Sequence, residues 1–349
     1  MIKKKLEEYL DYKQPQPYIV SNEQYSNEYK TPVLTAGKSF LLGMTNDTKG
    51  IYPASKDEPI ILFDDFTTDI KWVDFAFKVK SSACKILVPR SDTNLRFCYY
   101  GMKSLNFDAS QHKRYWISQY SQMQLPDYPN ARKAEIVERL SRIENQINIK
   151  ENQLNKLDSL VKSRFMEMFK EWNLSFQKEN WIKLSDLTNI YTGTTPKTEI
   201  EEFWNGLIPW VTPAELDKDS YLITDTERHI TEKGQKSKSL AMMPIGTVLL
   251  STRAPIGKVA ICGVPMTCNQ GFKNFECLEK LHPTYLFYLL KLNNDWLQTQ
   301  GTGTTFKEIS KSKAGNIRIP VPTMSDQKDF AQFYNLVDKS RFDQGIQIA

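Results

Sequence analysis

The sequence predicts an α+β protein in which two similar mixed α/β domains are separated by a long coiled-coil spacer helix, with a second, shorter helix at the C-terminus. Three observations support this architecture. They are short strand-like runs in both halves, a heptad repeat between them, and an overlay of the two halves. With 349 residues, 40% of them hydrophobic, the chain can bury two cores of ordinary domain size.

The first domain is predicted from apolar runs that are short enough to be strands. They read PIILFDDF (59–66), WVDFAFKV (72–79) and ACKILVP (83–89). Pro, Gly, Asn and Asp residues separate them, which is typical of a domain with small sheets and many loops. The second half contains similar runs, GTVLLSTR (246–253) and KVAICGV (258–264).

The central helix is predicted from apolar residues that recur at alternating intervals of four and three. Neither proline nor glycine occurs between Pro129 and Gly193, so about 40 residues can continue as one helix of roughly 60 Å. We predict that this seam pairs with a second helix and that the helix length sets the spacing of the two domains. The seam residues are Ile136, Leu140, Ile143, Ile147, Leu154, Leu157, Val161 and Met168.

An overlay of the two halves predicts an internal repeat. An offset of 188 residues places 59–65 on 247–253 and 99–103 on 287–291, and an offset of 194 places 125–144 on 319–338. The repeat predicts that the helix ending each half pairs antiparallel with the other, which would relate the domains by a pseudo-two-fold axis. The second helix would contribute Phe330, Tyr334 and Val337.

These observations predict four segments: a first domain at 1–128, the spacer helix at 129–172, a second domain at 173–322 and a second helix at 323–349. The first helix extends to about Phe169, which an offset of 194 places beyond Ala349, and Gly345 interrupts the second seam. We therefore expect the second spacer helix to be truncated.

Composition excludes several classes of protein. The net charge of +5 permits nucleic acid as a partner without requiring it. The five cysteines show neither paired metal spacing nor an even disulfide framework, and the sequence has neither a signal peptide nor an apolar run of about 18 residues. We expect a cytoplasmic protein without membrane partners.

Catalytic motifs are hard to find. TAGKS (35–39) lacks the first glycine of a phosphate-binding loop, because Pro32 stands there, and the three histidines have no zinc-hydrolase spacing, so no metal site is predicted. Asp64, Asp65 and Asp69 could hold Mg²⁺ for phosphodiester cleavage, but we favour a turn between two strands in which these carboxylates accept backbone hydrogen bonds. The tetrapeptide of amino-methyltransferases is absent as well.

Candidate DNA contacts come from stretches that combine glycine, a hydroxyl residue and a basic residue. Glycine lets a phosphate approach the backbone, hydroxyls donate to it, and Lys or Arg neutralises it. Arg253 could contact guanine, and Asn269 or Gln270 could contact adenine, although each stretch is also compatible with an ordinary turn. The second-domain candidates are Thr194, Thr195, Lys197, Arg253, Lys258, Asn269, Gln270, Lys273, Thr304, Thr305 and Lys307. The first-domain candidates are Lys38, Ser39, Thr67, Thr68, Lys113 and Arg114.

Several of these stretches resemble a known family. TPVLTAGKSFLLGMTN, IILFDDFTTDIKWVDFAFKVKSSACKIL and YYGMK resemble a target-recognition domain of type I restriction-modification specificity subunits. FWNGLIPWVTPAEL, GTVLLSTRAPIGKVAI, TCNQGFKNF, GTTFKEISK and IRIPVP resemble a second such domain, in the order typical of the family.

The resemblance implies a subunit without nuclease or methyltransferase activity that binds double-stranded DNA and reads one half of a bipartite site with each domain. It also implies methylation subunits, which bind S-adenosylmethionine, and restriction subunits as partners, with no cofactor bound by this chain. Two alternatives from other classes remain at this point: a stand-alone Mg²⁺-dependent DNA nuclease, and a coiled-coil adaptor that does not bind DNA.

Overall fold

The computed structural model describes residues 2–35, 37, 39–111, 113–253, 255–303 and 307–343. The chain divides into two compact units, Met1–Ile149 (unit 1) and Lys150–Ala349 (unit 2). The division falls inside the helix that the sequence predicts at 129–172. None of the helices in the described part of the chain is long and apolar enough to cross a membrane.

Unit 1 is built from nine strands and two helices, and the long third helix begins in it. Its elements are β1 (Lys3–Lys5), α1 (Leu6–Tyr9), β2 (Leu10–Lys13), β3 (Thr31–Leu34), β4 (Leu41–Thr45), β5 (Ile60–Asp64), β6 (Ile70–Val73), β7 (Lys78–Val79), β8 (Cys84–Pro89), α2 (Leu95–Lys103), β9 (Gln124–Pro126) and α3 (Asn130–Met168). These counts refer to the described residues. The strands form sheets in the orders β2-β8-β5-β6 and β4-β3-β7, together with the pair β1-β9.

Unit 2 holds the end of α3 and the remaining elements. They are β10 (Ile182–Lys183), α4 (Leu184–Leu187), β11 (Thr188–Thr192), β12 (Trp204–Val211), β13 (Leu222–Ile223), β14 (His229–Ile230), α5 (Glu232–Ser237), β15 (Val248–Leu250), β16 (Val259–Cys262), β17 (Thr267–Cys268), β18 (Lys273–Cys277), α6 (Pro283–Leu292), α7 (Asn294–Thr299), α8 (Lys311–Gly315), β19 (Arg318–Ile319) and α9 (Met324–Asp343). The sheet orders are β11-β18-β15-β16-β13, β14-β12-β17 and β10-β19.

The two units share one topology. The larger sheets correspond strand by strand, with β2-β8-β5-β6 in unit 1 matching β11-β18-β15-β16 in unit 2. In the smaller sheets, the central strand (β3 in unit 1, β12 in unit 2) has one antiparallel neighbour and one parallel neighbour. Unit 2 adds β13 at the edge of its larger sheet, parallel to β16.

Alternation along the central strand of the larger sheet explains the layers. In β5, Ile61 and Phe63 face the core beneath α1 and α2, whereas Ile60 and Leu62 face the core shared with the smaller sheet. In β15, Val248 and Leu250 likewise face α6 and α9, and Leu249 faces the smaller sheet. Both faces of the strand are therefore buried, which is why it reads as a continuous apolar run.

The registers correct the sequence overlay by one residue. Tyr12 of β2 pairs with Leu87, and Ile190 of β11 pairs with Phe275, so β8 and β18 correspond at the expected offset of 188. Leu87 also pairs with Ile61, whereas Phe275 pairs with Val248, so β5 and β15 correspond at an offset of 187. The offset of 194 holds for the helices, since α3 begins at Asn130 and α9 at Met324.

Helix pairing extends over only part of the predicted seam. In unit 2, Val161 and Phe165 of α3 and Phe169, directly after it, pack on α9, with the Phe165 and Phe330 rings 4.9 Å apart. Arg341 forms an ion pair with Asp158, so the two segments run antiparallel. The other predicted residues in this apolar core are Leu157, Met168, Tyr334 and Val337. Phe165 and Phe169 are not among the residues that the heptad predicts, because continuing the four-three spacing selects Arg164 and Met168 instead.

The N-terminal part of the seam is not paired in this way, and the prediction was wrong there. Ile136 packs on the core of unit 1, and Leu154 is half-buried. Leu140, Ile143 and Ile147 are 37%, 53% and 52% exposed. The physical reason is length: the described α9 has 20 residues against 39 in α3 and can cover only about half of it.

Candidate nucleic-acid interface

Four of the predicted stretches of unit 2 converge in space. The Thr195 hydroxyl donates to Gln270 Oε1 at 2.8 Å, and the backbone amide of Thr252 donates to the Gly271 carbonyl at 2.7 Å. The amide of Ile309 donates to the Thr252 carbonyl at 3.0 Å. The unit 2 loop cluster is defined here as the described residues of 193–197, 251–258, 269–271 and 301–309.

Two glycines are required for this convergence. A Cβ at Gly193 would lie 2.0 Å from the carbonyl oxygen of Cys268, so only glycine allows these two backbone segments to touch. Gly257 has a φ of +101°, and a Cβ there would lie 2.2 Å from Asn294 Oδ1. The sequence reasoning assigned such glycines to phosphate approach, whereas these two serve the packing of the loops.

An ion-pair network joins the unit 2 loop cluster to β18. Lys273 is buried in β18, and its Nζ lies 3.0 Å from Glu308 Oε1. The other oxygen of Glu308 lies 3.4 Å from Nη1 of Arg253, whose side chain is 38% exposed. The hydrogen bond from Lys273 and, beyond it, the Arg253 charge lower the pKa of Glu308 despite its partial burial, so the carboxylate is ionised at neutral pH.

Burial argues against Lys273 as a phosphate ligand. A phosphate oxygen would have to displace Glu308 from an ammonium group that is almost fully enclosed. Lys258 also has an internal partner, because its Nζ donates to the Pro213 carbonyl at 2.8 Å. Asn269 accepts from the Gly271 amide at 2.8 Å, as in an ordinary Asx turn.

The remaining candidates of unit 2 lie at its surface. Lys197, Gln270 and Lys307 are exposed, and Thr194 and Thr195 are half-buried. Thr304 and Thr305 lie outside the described residues. Trp204 and Trp210 are buried with ring centroids 5.1 Å apart, so they belong to the core rather than to a surface on which bases could stack.

Unit 1 brings its candidate stretches together in a corresponding cluster, in which Gly37 lies beside Asp64, since a Cβ on Gly37 would be 3.8 Å from Asp64 Oδ2. The Tyr115 amide donates to the Asp65 carbonyl at 2.9 Å, and Arg114 donates from Nη1 and Nη2 to the carbonyl and hydroxyl of Ser82, each at 2.9 Å. Among the remaining candidates, Ser39 and Thr67 are exposed and Thr68 and Lys113 are half-buried; Lys38 lies outside the described residues. The unit 1 loop cluster is defined as the described residues of 35–39, 64–69, 81–83 and 111–116.

The acidic residues of this cluster are held by protein groups. Asp64 accepts from the Phe66 amide at 2.9 Å and from the Thr67 hydroxyl at 2.7 Å. Buried Asp65 accepts from the amides of Tyr115 and Trp116 and lies 3.6 Å from the ammonium group of Lys85. Among the described residues, no three His, Cys, Asp or Glu side chains are grouped so that they could hold a metal ion. The geometry is that of the turn favoured above, with Asp69 exposed beside it.

Three partner residues of the loop clusters are not among the predicted site residues: buried Lys85 and half-buried Ser82 and Glu308. No motif marks them. Lys85 and Lys273 differ by the overlay offset of 188, and Arg114 and Glu308 differ by the offset of 194. Extending the overlay to charged positions would have pointed to all of these except Ser82.

Comparison with known proteins gives consistent results. A family model described as the type I restriction modification DNA specificity domain matches residues 178–347. The chain is 35% identical to the Escherichia coli EcoR124I/EcoR124II type I restriction enzyme specificity subunit over 95% of this chain and 85% of that protein. It is 39% identical to the MjaIX specificity subunit of Methanocaldococcus jannaschii over 51% of this chain and 43% of that protein.

The fold also matches a solved structure. A type I restriction-modification system S subunit from M. genitalium superposes with a TM-score of 0.61, covering 98% of this chain and 90% of that one. The sequences are 17% identical, so this match concerns the fold alone.

Proposed function

Because this chain belongs to the specificity subunits of type I restriction-modification systems, we propose that it reads a bipartite DNA target, with one half-site recognised by each unit. The observation that carries the proposal is the pairing of family membership over nearly the whole chain with a loop cluster at the same place in both units. A bipartite target follows, since each cluster can contact one short run of bases.

In this role the chain is a non-catalytic specificity subunit. It would position methylation subunits, which bind S-adenosylmethionine, and restriction subunits on the DNA, and it would bind no cofactor itself. We place this assembly in the cytoplasm. With a net charge of only +5 spread over two units, we expect the partner subunits to supply part of the DNA affinity.

The direct test is to sequence the modified DNA of a host that carries the complete system. We expect one bipartite methylated motif with two half-sites separated by unread bases, and we expect its loss when this chain is deleted. The purified chain alone should bind DNA in a salt-dependent way without cleaving it. Metal-dependent cleavage by the chain alone would instead establish a nuclease, and the absence of DNA binding by the complex would favour the adaptor.

We further propose that α3 sets the number of unread bases. Inserting seven residues after Asn155 keeps the heptad phase and leaves the contacts of 158–169 with α9 in place. The helix would lengthen by about 10 Å, equivalent to at most about three base pairs. We expect the same half-sites with a longer gap in sequenced methylated DNA.

A four-residue insertion at the same place is the matched comparison. It adds about 6 Å but shifts the heptad phase, so we expect lower activity from it. An active seven-residue variant with unchanged spacing would contradict the proposal. Altered half-site sequences would mean that the helix region itself reads bases.

A further inference from the structure

The loop clusters of the two units are built on the same backbone hydrogen bonds, which allows residue-by-residue comparison. In unit 1, the Asp65 amide donates to the Ala83 carbonyl and the Asp65 carbonyl accepts from Tyr115. In unit 2, the Thr252 amide donates to the Gly271 carbonyl and the Thr252 carbonyl accepts from Ile309. Asp65 therefore corresponds to Thr252, and Tyr115 corresponds to Ile309.

The neighbouring charged positions follow from these pairs. Arg114 corresponds to Glu308, because each directly precedes the residue that donates to the shared carbonyl. Phe66 corresponds to Arg253, because each directly follows the residue that carries that carbonyl. The strand registers make Lys85 of β8 equivalent to Lys273 of β18, because each lies two residues before the equivalent pair Leu87 and Phe275.

At each loop cluster a buried lysine, a carboxylate and an arginine form one ion-pair group, but the carboxylate and the arginine have exchanged positions between the two units. In unit 1 the acid is Asp65 and the arginine, Arg114, comes from the opposite loop, with its Nη1 3.6 Å from Asp65 Oδ2. In unit 2 the acid, Glu308, occupies the position that Arg114 holds in unit 1. Its arginine, Arg253, lies on the loop where unit 1 has Phe66.

The buried lysine of each unit explains why these arginines are available for a ligand. The Lys85 side chain in unit 1 is 5% exposed, the Lys273 side chain in unit 2 is 8% exposed, and each already neutralises the carboxylate beside it. The three charged groups together carry one net positive charge. This charge is on the arginine, which is the exposed residue of the three: the Arg114 and Arg253 side chains are 48% and 38% exposed. A simple arginine–carboxylate pair would have no net charge and would attract DNA less.

Resting on the proposed function, we propose that Arg253 and Arg114 are base-reading residues of units 2 and 1, each contacting a guanine, and that Glu308 and Asp65 position them. A guanidinium can donate two parallel hydrogen bonds to the O6 and N7 atoms of guanine, and this requires a fixed fork direction. The carboxylate fixes this direction by its ion pair with the guanidinium group. Arg114 is also bound by Ser82, so its contribution to discrimination is smaller than that of Arg253.

The test uses the full chain assembled with its methylation subunits and DNA duplexes that carry the methylated motif or single-base changes in it. Arg253→Ala lowers discrimination at one guanine about 5- to 150-fold and leaves the other half-site intact. Arg114→Ala lowers discrimination at a guanine in the other half-site, by a smaller factor. If both variants discriminate as the wild type does, the assignment of these arginines is overturned.

Glu308→Gln separates positioning from folding. Arg253 remains but loses its direction, so discrimination at the same guanine falls while affinity for mismatched duplexes does not, because a negative charge has been removed. A residue needed only for folding would lower affinity for all duplexes equally, and that result would overturn the positioning role. Glu279→Gln, an exposed acid of the same unit, is the matched control and keeps wild-type discrimination.

A double variant keeps the test decisive if Glu308→Gln is unstable. Thr252→Asp combined with Glu308→Gln gives Lys273 a carboxylate from the position that Asp65 uses in unit 1. The unfolding midpoint returns towards the wild-type value, but discrimination at the guanine stays low. Recovery of both would show that Glu308 is merely the counter-ion of Lys273 and would overturn its positioning role. A wild-type complex without any bipartite motif would overturn both this inference and the proposed function.

Discussion

Apart from the extra edge strand β13 in unit 2, units 1 and 2 have corresponding sheets with the same strand order, but they bury different polar groups. Lys78 of β7 is buried and lies 3.2 Å from Asp47, whereas the corresponding residue of β17 is Thr267, whose hydroxyl donates to the Pro209 carbonyl. The shared topology therefore depends on the apolar residues of the strands, which are buried on both faces in β5 and β15. Polar residues can be exchanged between the units as long as each buried group keeps a partner.

The helix contacts differ in the same way. In unit 1 polar groups join α2 to α3: the Tyr100 hydroxyl donates to Glu144 at 2.8 Å, and the Arg96 guanidinium forms an ion pair with the same carboxylate. Burial opposes ionisation of Glu144, but Tyr100, Arg96 and Lys103 outweigh it and lower its pKa. In unit 2 the corresponding contact of α6 with α9 is aromatic, with Phe330 5.3 Å from the Tyr288 ring.

The largest expected effect concerns this aromatic contact. Phe165 is fully buried between Tyr285, Tyr288 and Phe330, so Phe165→Ala should destabilise unit 2 by about 4 kcal/mol through lost burial and a cavity. Hydrogen exchange in denaturant, followed on peptides of each unit, would measure it. Phe176→Ala, at a residue 71% exposed, is the matched control and should change stability little. Equal losses in the two variants would contradict the assignment of the core.

The next effect concerns the buried ion pair of unit 1. Asp47→Asn leaves the enclosed ammonium group of Lys78 without its counter-ion and should destabilise unit 1 by about 3 kcal/mol. Peptides of unit 2 should exchange as in the wild type, because Thr267 replaces the lysine there. Asp57→Asn, at an exposed position of the same unit, is the control. A loss spread equally over both units would show that the units do not unfold independently.

The smallest effect is on acid stability. Hydrogen bonds from Ser21, opposed by burial and supported by Lys78, hold the pKa of Asp47 well below its ordinary value. A depressed folded-state pKa contributes stability that is present above the unfolded pKa, near 4, and is lost as the pH falls towards the folded pKa. Between about pH 6 and pH 3, wild-type unit 1 should lose about 1 kcal/mol more than Asp47→Asn does in matched urea titrations. Parallel pH profiles for the two proteins would exclude Asp47 as the titrating group.

Much of the architecture could be predicted because it depends on local patterns. The heptad of α3, the apolar runs of β5 and β15 and the start of α9 follow from residue spacing and from the absence of helix breakers. The overlay of the two halves was wrong by one residue at β5. Side chains on both faces of this strand are buried, so a shift by one residue still aligns apolar residues of β5 with apolar residues of β15. Periodicity alone cannot determine the register of such a strand.

The sequence by itself therefore determined the two-part α+β organisation, the long helix, the order of the motifs and the family that they resemble. The tertiary structure decided which polar residues are buried and which are available. Lys273 and Lys307 are both basic residues in glycine-rich or threonine-rich stretches, yet Lys273 is enclosed with Glu308 and Lys307 is exposed. It also decided that Phe165 rather than Arg164 faces α9. The physical reason is that burial, charge pairing and helix-face assignment depend on atoms brought together from positions far apart in the chain, which no local spacing records.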